Sequence, residues 1–132
     1  MAFKVDLGLS FMFRLLDQKT RLSKLLYKTI INGGIIMINS IVQAINNREE
    51  ISFTYSGLPR VVQPCAVGIS TAGNEVLRCF QTQGAHITPD HEWNMCIVSK
   101  ISNLQFTGKT FNLNPRGYKQ EDRGMQRIYA QL

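Results

Sequence analysis

The chain has 132 residues, of which 44% are hydrophobic and 18% charged, and its formal net charge is +6. This length accommodates one domain with a modest core, and no apolar run approaches the roughly 18–20 residues of a membrane span. Asp6 and the lack of a small-residue cleavage site argue against a secretory signal. Residues 1–36 carry +4 and residues 37–132 only +2, so the larger part is not marked by charge as a phosphate-binding surface.

Two helices are predicted before the first strand. Charged residues from Arg14 to Lys28 recur at spacings of three and four, which predicts an amphipathic helix over residues 9–31. Asn32-Gly33-Gly34 is expected to end that helix. A second helix is predicted over residues 37–48, where isoleucines and a valine recur on one apolar face.

Residues 1–36 are accordingly treated as a helical N-terminal extension. The residues before Met37 can be encoded with a run that resembles a bacterial ribosome-binding site. Two hypotheses therefore stand: translation begins at Met37 and the extension is a mis-assigned gene start, or the extension is real and packs on the rest of the protein or on a partner.

A β-hairpin is predicted over residues 51–64. Ile51, Phe53 and Tyr55 alternate with polar residues, as in a strand with one buried face. Ser56-Gly57-Leu58-Pro59 supplies the turn, and Arg60 begins the next extended run. A guanidinium is thus expected near a phenol ring.

Further extended runs follow over residues 65–70, 75–82 and 93–106, separated by a turn at 71–74 and a polar loop at 83–92. These runs are expected to form one sheet over residues 50–112. After the break at Asn114–Gly117, the spacing of Met125, Ile128, Tyr129 and Leu132 predicts a short C-terminal helix over residues 119–131. That helix is expected to dock on these strands or on a second copy of the chain.

This order of elements resembles the WYL domain, a small barrel found mostly in bacterial transcription regulators and phage-defence regulators. The resemblance covers roughly residues 40–111 and rests on Tyr55 at a strand end, Arg60 before Pro64, Gly68, and Lys100-Ile101 closing a late strand. It implies a mainly β protein with flanking helices, built on an Sm-like or src-homology-3-like barrel of five strands. Residues 37–132 form the WYL-like domain on this interpretation.

The resemblance also implies a small polar pocket near the opening hairpin. Arginine binds phosphate or carboxylate through its fork of donors, and an aromatic ring stacks on a base. Arg78 and Gln81 lie three positions apart on one strand, so they face opposite sides of it unless a bulge intervenes. The candidate ligand-binding residues are Tyr55, Arg60, Arg78, Gln81, Trp93 and Lys100.

No catalytic or metal motif is recognised in the sequence, and no cofactor is expected. His86, Asp90, His91 and Glu92 fall in a polar loop without the paired ligand spacing of structural zinc. No Ser- or Cys-centred motif marks a nucleophile with an oriented base. An enzyme that uses this loop is the least favoured hypothesis. The three cysteines are expected to be buried free thiols in a reducing cytoplasm.

The predicted function is a non-enzymatic, ligand-sensing regulatory module in a bacterial or phage-related cytoplasm. The resemblance implies that its ligand is a nucleotide or a short single-stranded nucleic acid, and the protein is not expected to read duplex DNA by itself. The alternative is an assembly protein that self-associates, or binds a regulatory protein partner, through barrel edges and the terminal helix. No membrane partner is expected.

Overall fold

In the computed structural model, the backbone is described for residues 21–84 and 91–132, with side chains from residue 33 onward in those ranges. Between Ile36 and Met37 the chain divides into two units. The elements are α1 (Arg21–Asn46), β1 (Glu49–Tyr55), β2 (Leu58–Ser70), β3 (Glu75–Gly84), β4 (Trp93–Ile97), β5 (Ile101–Thr110) and β6 (Met125–Gln131). A short 3-10 turn, Val98–Lys100, links β4 to β5. The predicted mainly β architecture is confirmed.

The six strands form one antiparallel sheet in the order β4-β3-β2-β1-β5, with β6 on β2. The long strand β2 organises this sheet. It pairs with β3 over residues 60–69, with β1 over 58–62 and with β6 over 66–70. Since β3 occupies one edge of β2 along most of its length, β1 and β6 share the other edge. Within the described ranges no pairing between β4 and β5 closes the sheet.

The prediction of two helices separated at Asn32-Gly33-Gly34 was wrong. Over its described length α1 is continuous from Arg21 to Asn46, through both glycines. Glycine in a helix interior costs about 1 kcal/mol relative to alanine. Helices in proteins are stabilised mostly by packing of an apolar face, so this cost does not by itself end a helix. The part of the predicted helix before Arg21 lies outside the described residues.

The prediction of a C-terminal helix over residues 119–131 was also wrong, because Met125–Gln131 is strand β6. Its pairing with β2 shifts register twice, so that Gln126 and Tyr129 are extra residues in the ladder. Each bulge changes which side of the strand the next side chain faces. A strand with two bulges therefore places apolar residues at the three- and four-residue spacings of a helix, and a free strand edge on β2 decides between the two structures.

The number of strands also differs from the predicted five. The run at 93–106 was predicted as one extended segment, but the 3-10 turn divides it into β4 and β5. The extended runs on either side of Pro64 are one strand, with a register shift between Pro64 and Ala66. Proline lacks an N–H donor and is tolerated at such an irregularity.

Two apolar clusters pack on opposite faces of β3 and β4. The larger one joins the α1 face of Ile38, Ile41 and Ile45 to the inner face of the sheet. The smaller one joins Ala66, Val76 and Met125, with partly buried side chains around them. Cys65, Cys79 and Cys96 are buried and free, as predicted. Over the chain that the structure describes, no helix has both the length and the apolar character needed to cross a bilayer.

Candidate functional site

The opening hairpin places Tyr55 and Arg60 on the same face of the sheet. Ser56 and Gly57 have φ angles of 54° and 75°, so they form the tight two-residue turn that matches strand twist. Phe53 pairs with Arg60 and Tyr55 pairs with Leu58, which makes Tyr55 and Arg60 diagonal neighbours. The Arg60 Cζ atom lies 5.0 Å from the centre of the Tyr55 ring, within the range of a cation–π contact.

Arg60 is held from its other side by the amide of Asn94, which in turn bonds to the amide of Gln81. Its Nη1 donates to Oδ1 of Asn94 at 3.3 Å. Asn94 Nδ2 in turn donates to Oε1 of Gln81 at 3.1 Å and to the carbonyl of Glu92 at 3.1 Å. Gln81 is only 2% exposed. Tyr55, Arg60, Gln81 and Asn94 are together called the Arg60 cluster. Because buried polar networks fix side-chain positions, the guanidinium is held in place.

The Arg60 guanidinium keeps unused donor capacity. Its Nε atom is buried and has no hydrogen-bond partner. No ion pair to a carboxylate of the described residues neutralises it. A buried charged donor without a partner is costly, whereas a bound anion would accept from it through a charge-assisted hydrogen bond. The arrangement therefore suits an anionic group.

Gly84 provides the space for this arrangement. It pairs with Arg60 across β2 and β3 and has a φ of 117°. A Cβ atom there would lie 2.5 Å from the carbonyl oxygen of Pro59 and 3.2 Å from Nε2 of Gln81. Glycine is thus required both by the backbone conformation and by the close packing around Arg60.

Two thiols lie on the same inner face, next to the cluster. Cys79 pairs with Asn94 across β3 and β4, and its thiol hydrogen-bonds with that of Cys96. This hydrogen bond, and after it burial, raises the pKa of Cys79 well above its usual value. The same hydrogen bond lowers the pKa of Cys96, against burial, and the positive charge of Arg60 lowers it further.

The structure does not bring all six predicted site residues together. Tyr55, Arg60 and Gln81 meet in the Arg60 cluster. Arg78 lies on the opposite face of β3, as its spacing from Gln81 predicts, and its Nε donates to Oδ2 of Asp122 at 2.6 Å. The same contact holds the pKa of the Asp122 carboxyl below its usual range.

Trp93 and Lys100 lie elsewhere. Trp93 pairs with Phe80 and shares the outer face of β3 and β4 with Arg78. Lys100 is exposed at the end of the 3-10 turn. The single shared pocket that the sequence suggested is therefore replaced by two separate places on opposite faces of the sheet, and Lys100 belongs to neither.

Asn94 is the site residue that the sequence analysis missed. It lies two positions before Cys96, on the buried side of an edge strand, where a polar side chain requires a partner. The two-residue spacing from Cys96 is the sequence signal that could have indicated Asn94. The loop residues His86 and Asp90 lie outside the described residues, and His91 is exposed. Over the described ranges no group of three or more histidine, cysteine, aspartate or glutamate side chains is arranged to hold a metal ion.

Comparison with protein-family models, with curated proteins and with solved structures finds no match to this chain. The geometry of its own residues is therefore what supports a function.

Proposed function

We propose that this protein is a ligand-sensing regulatory module that binds a phosphate-bearing ligand, a nucleotide or a short single-stranded nucleic acid, at the Arg60 cluster. The observation that carries the proposal is a guanidinium held against Tyr55 at 5.0 Å, fixed by Asn94, with a buried Nε that has no partner. An immobilised arginine binds an anion without the entropy cost of ordering its side chain. Phosphate oxygens match the planar fork of the guanidinium.

In this proposal the members of the cluster have different roles. Arg60 donates to the phosphate. Tyr55 orients Arg60 through its ring, and its own hydroxyl accepts from the backbone N–H of Ile97 at 3.1 Å. Asn94 and Gln81 hold Arg60 from the protein side, so their loss weakens binding indirectly. All of these roles are binding or positioning roles, which fits a binding module acting in a bacterial or phage-related cytoplasm.

The proposal includes a WYL-like domain with a curled, Sm-like barrel. It is supported by the division of one β2 edge between β1 and β6, since a strand that serves two partners along one edge is strongly bent or coiled. The hydrogen bond from Ile97 to Tyr55 also joins the ends of β4 and β1, which are not neighbours in the sheet order.

The test is a binding titration with a fluorescently labelled oligothymidylate of about eight nucleotides, a length typical of one small single-strand site. Binding should weaken as salt rises, because phosphate contacts release counterions. Arg60→Gln should weaken it by about tenfold or more, the loss expected when a charged hydrogen bond is removed. Lys109→Gln removes the same charge from an exposed position on β5 and serves as the matched control. Equal losses in the two variants would contradict a specific role for Arg60.

A second candidate, self-association through the sheet edge, is favoured by one observation. The outermost strand β5 is exposed along nearly all its length, including Phe106, which is 38% exposed. An exposed edge strand is a template for pairing with another chain. The C-terminal segment does not contribute a helix to this interface, because Met125–Gln131 is strand β6. Sedimentation of Phe106→Lys beside the unaltered protein tests it: an assembly through this edge should dissociate.

A further inference from the structure

A cavity of about 660 Å³ lies on the outer face of the sheet, opposite the Arg60 cluster. It is formed where the segment after β5 folds back over β3 and β4. Its lining includes the rings of Trp93 and Tyr118 and the charged side chains of Arg78, Lys119, Glu121, Asp122 and Arg123. Its volume falls within the range of about 300–1,000 Å³ that small-molecule sites occupy.

The wall of the cavity is a fixed aromatic stack. The rings of Trp93 and Tyr118 are 6.4 Å apart at 24°, and Phe80 meets Trp93 edge-on at 5.4 Å. Trp93 Nε1 donates to the carbonyl of Arg116 at 3.0 Å, and the Tyr118 hydroxyl donates to that of Leu132 at 3.2 Å. Since the polar atoms of both rings are anchored and both side chains remain half-buried, ring surface is presented to the cavity in a defined orientation.

Some of the charged side chains that line the cavity are paired with each other, and others are not. Asp122 is paired with Arg78 in two contacts, at 2.6 and 3.4 Å, so these two charges offset each other. Glu121 accepts from Gln131 through its Oε1 atom. Lys119 and Arg123 are exposed, and no hydrogen bond or ion pair to other described residues engages their side chains. Three cations against two carboxylates leave the lining with an excess positive charge.

We propose that this cavity is a second ligand site, which binds a small planar aromatic anion. The ring of the ligand packs on the Trp93–Tyr118 wall, and its anionic group is bound by Lys119 and Arg123. Aromatic pairs gain stability beyond the burial of their area, and the free cations discriminate against uncharged rings. An aromatic carboxylate and a base bearing a phosphate share this chemistry. The site stands independently of the Arg60 cluster, which lies on the other face.

The test uses three probes of related shape: 1-naphthoate, its uncharged amide 1-naphthamide, and the non-aromatic cyclohexanecarboxylate. The chain has one tryptophan, so the indole N–H resonance of Trp93 reports on this site alone in a proton–nitrogen NMR titration. The chemical shift of that resonance should change saturably with 1-naphthoate. Binding of the amide should be about tenfold weaker, as for the loss of one charged contact. Cyclohexanecarboxylate should leave the chemical shift of the resonance unchanged.

Two variants assign the binding to the proposed groups. The double substitution Lys119→Gln/Arg123→Gln changes exposed side chains, so folding should be retained, and it should bring 1-naphthoate down to the affinity of the amide. Arg60→Gln is the control and should leave 1-naphthoate binding unchanged. Adenosine monophosphate in the same titration separates the two sources: tighter binding than 1-naphthoate supports a phosphate-bearing ligand, and weaker binding supports a carboxylate.

Three outcomes would overturn the proposal: no response of the Trp93 resonance at millimolar 1-naphthoate or adenosine monophosphate, equal affinity for acid and amide, or loss of 1-naphthoate binding in Arg60→Gln. The last of these would place the aromatic anion at the Arg60 cluster, whereas loss of oligothymidylate binding alone would concern only the function proposed for that cluster.

Discussion

The hydroxyl of Tyr55 accepts a hydrogen bond from the backbone N–H of Ile97 at a distance of 3.1 Å. This contact joins the last residue of β1 to the last residue of β4, two strands with two others between them in the sheet. The ring of the same tyrosine also contacts the guanidinium of Arg60. One side chain thus links two strands that are not neighbours in the sheet and also contacts the cationic group.

Tyr55→Phe should lower the free energy of unfolding by about 1–2 kcal/mol, because it leaves the Ile97 N–H without its acceptor. Urea denaturation followed by circular dichroism measures this. Tyr118→Phe is the matched control: it removes a hydroxyl that bonds to the carbonyl of the terminal residue Leu132, where water replaces it more easily. A loss for Tyr118→Phe as large as that for Tyr55→Phe would argue against the structural role of Tyr55.

Gly68→Ala should destabilise the protein by about 1–3 kcal/mol or more, the range for overpacking a close contact. A Cβ atom at Gly68 would lie 2.0 Å from the backbone oxygen of Arg127, so β6 has to move away from β2. Hydrogen exchange should show faster exchange in β6 than in β3, which pairs with the opposite edge of β2. Unchanged protection of β6 would mean that the two strands do not approach this closely.

Gly33→Ala should raise the helicity of α1, because a Cβ atom there meets no other atom within 4 Å and alanine favours a helix interior by about 1 kcal/mol. Far-UV circular dichroism measures the change. Gly33→Pro should have the opposite effect, since proline removes a helical hydrogen bond. A gain of helicity with proline would instead favour a helix that begins or breaks at this position.

The ion pair of Arg78 and Asp122 should make stability depend on acid pH. The Arg78 hydrogen bond is the largest cause that lowers the pKa of the Asp122 carboxyl in the folded protein. Its contribution is therefore present above the unfolded aspartate pKa, about 3.9, and is lost as pH falls from there through the lower folded value. Urea denaturation of Asp122→Asn and the unaltered protein should differ at pH 7 and converge in acid.

A difference that stays constant down to pH 2, about two units below the ordinary aspartate pKa, would show that Asp122 contributes by packing and not by its charge. The control is Glu121→Gln, because the Glu121 side chain is exposed and accepts from a neutral amide, that of Gln131. That substitution should leave the pH dependence nearly as it is.

The cysteines should resist a thiol reagent such as dithionitrobenzoate in the folded state. Only a thiolate reacts, and burial raises the pKa of Cys65 to about 12, while the hydrogen bond with Cys96 raises that of Cys79. The same hydrogen bond lowers the pKa of Cys96, so this thiol is protected by its burial alone. Three thiols should react in denaturant and essentially none in native buffer at pH 8, about the usual thiol pKa. Rapid native labelling of Cys96 would indicate that β4 opens readily at the sheet edge.

How far the sequence predicts the site is clearest at the hairpin. Strand alternation up to Tyr55, a Ser-Gly turn and Arg60 directly after it are local signals, and a two-residue turn fixes the register between the two strands. The proximity of Tyr55 and Arg60 therefore followed from nearest neighbours in the chain. Asn94, which lies 34 positions from Arg60, required the pairing of β3 with β4, and no local pattern encodes that pairing.

The sequence by itself determined a mainly β chain, the opening hairpin, the buried thiols and the opposite orientation of Arg78 and Gln81, because each depends on local alternation and turn chemistry. Tertiary structure decided whether Met125–Gln131 became helix or strand, since an apolar spacing of three and four fits both a helix and a strand with two bulges. The free edge of β2 resolved this by offering backbone hydrogen bonds along residues 66–70. Tertiary structure likewise separated Trp93 from Arg60, because the pairing of β4 with β3 places Asn94 against Arg60 and leaves the adjacent Trp93 on the opposite face of the sheet.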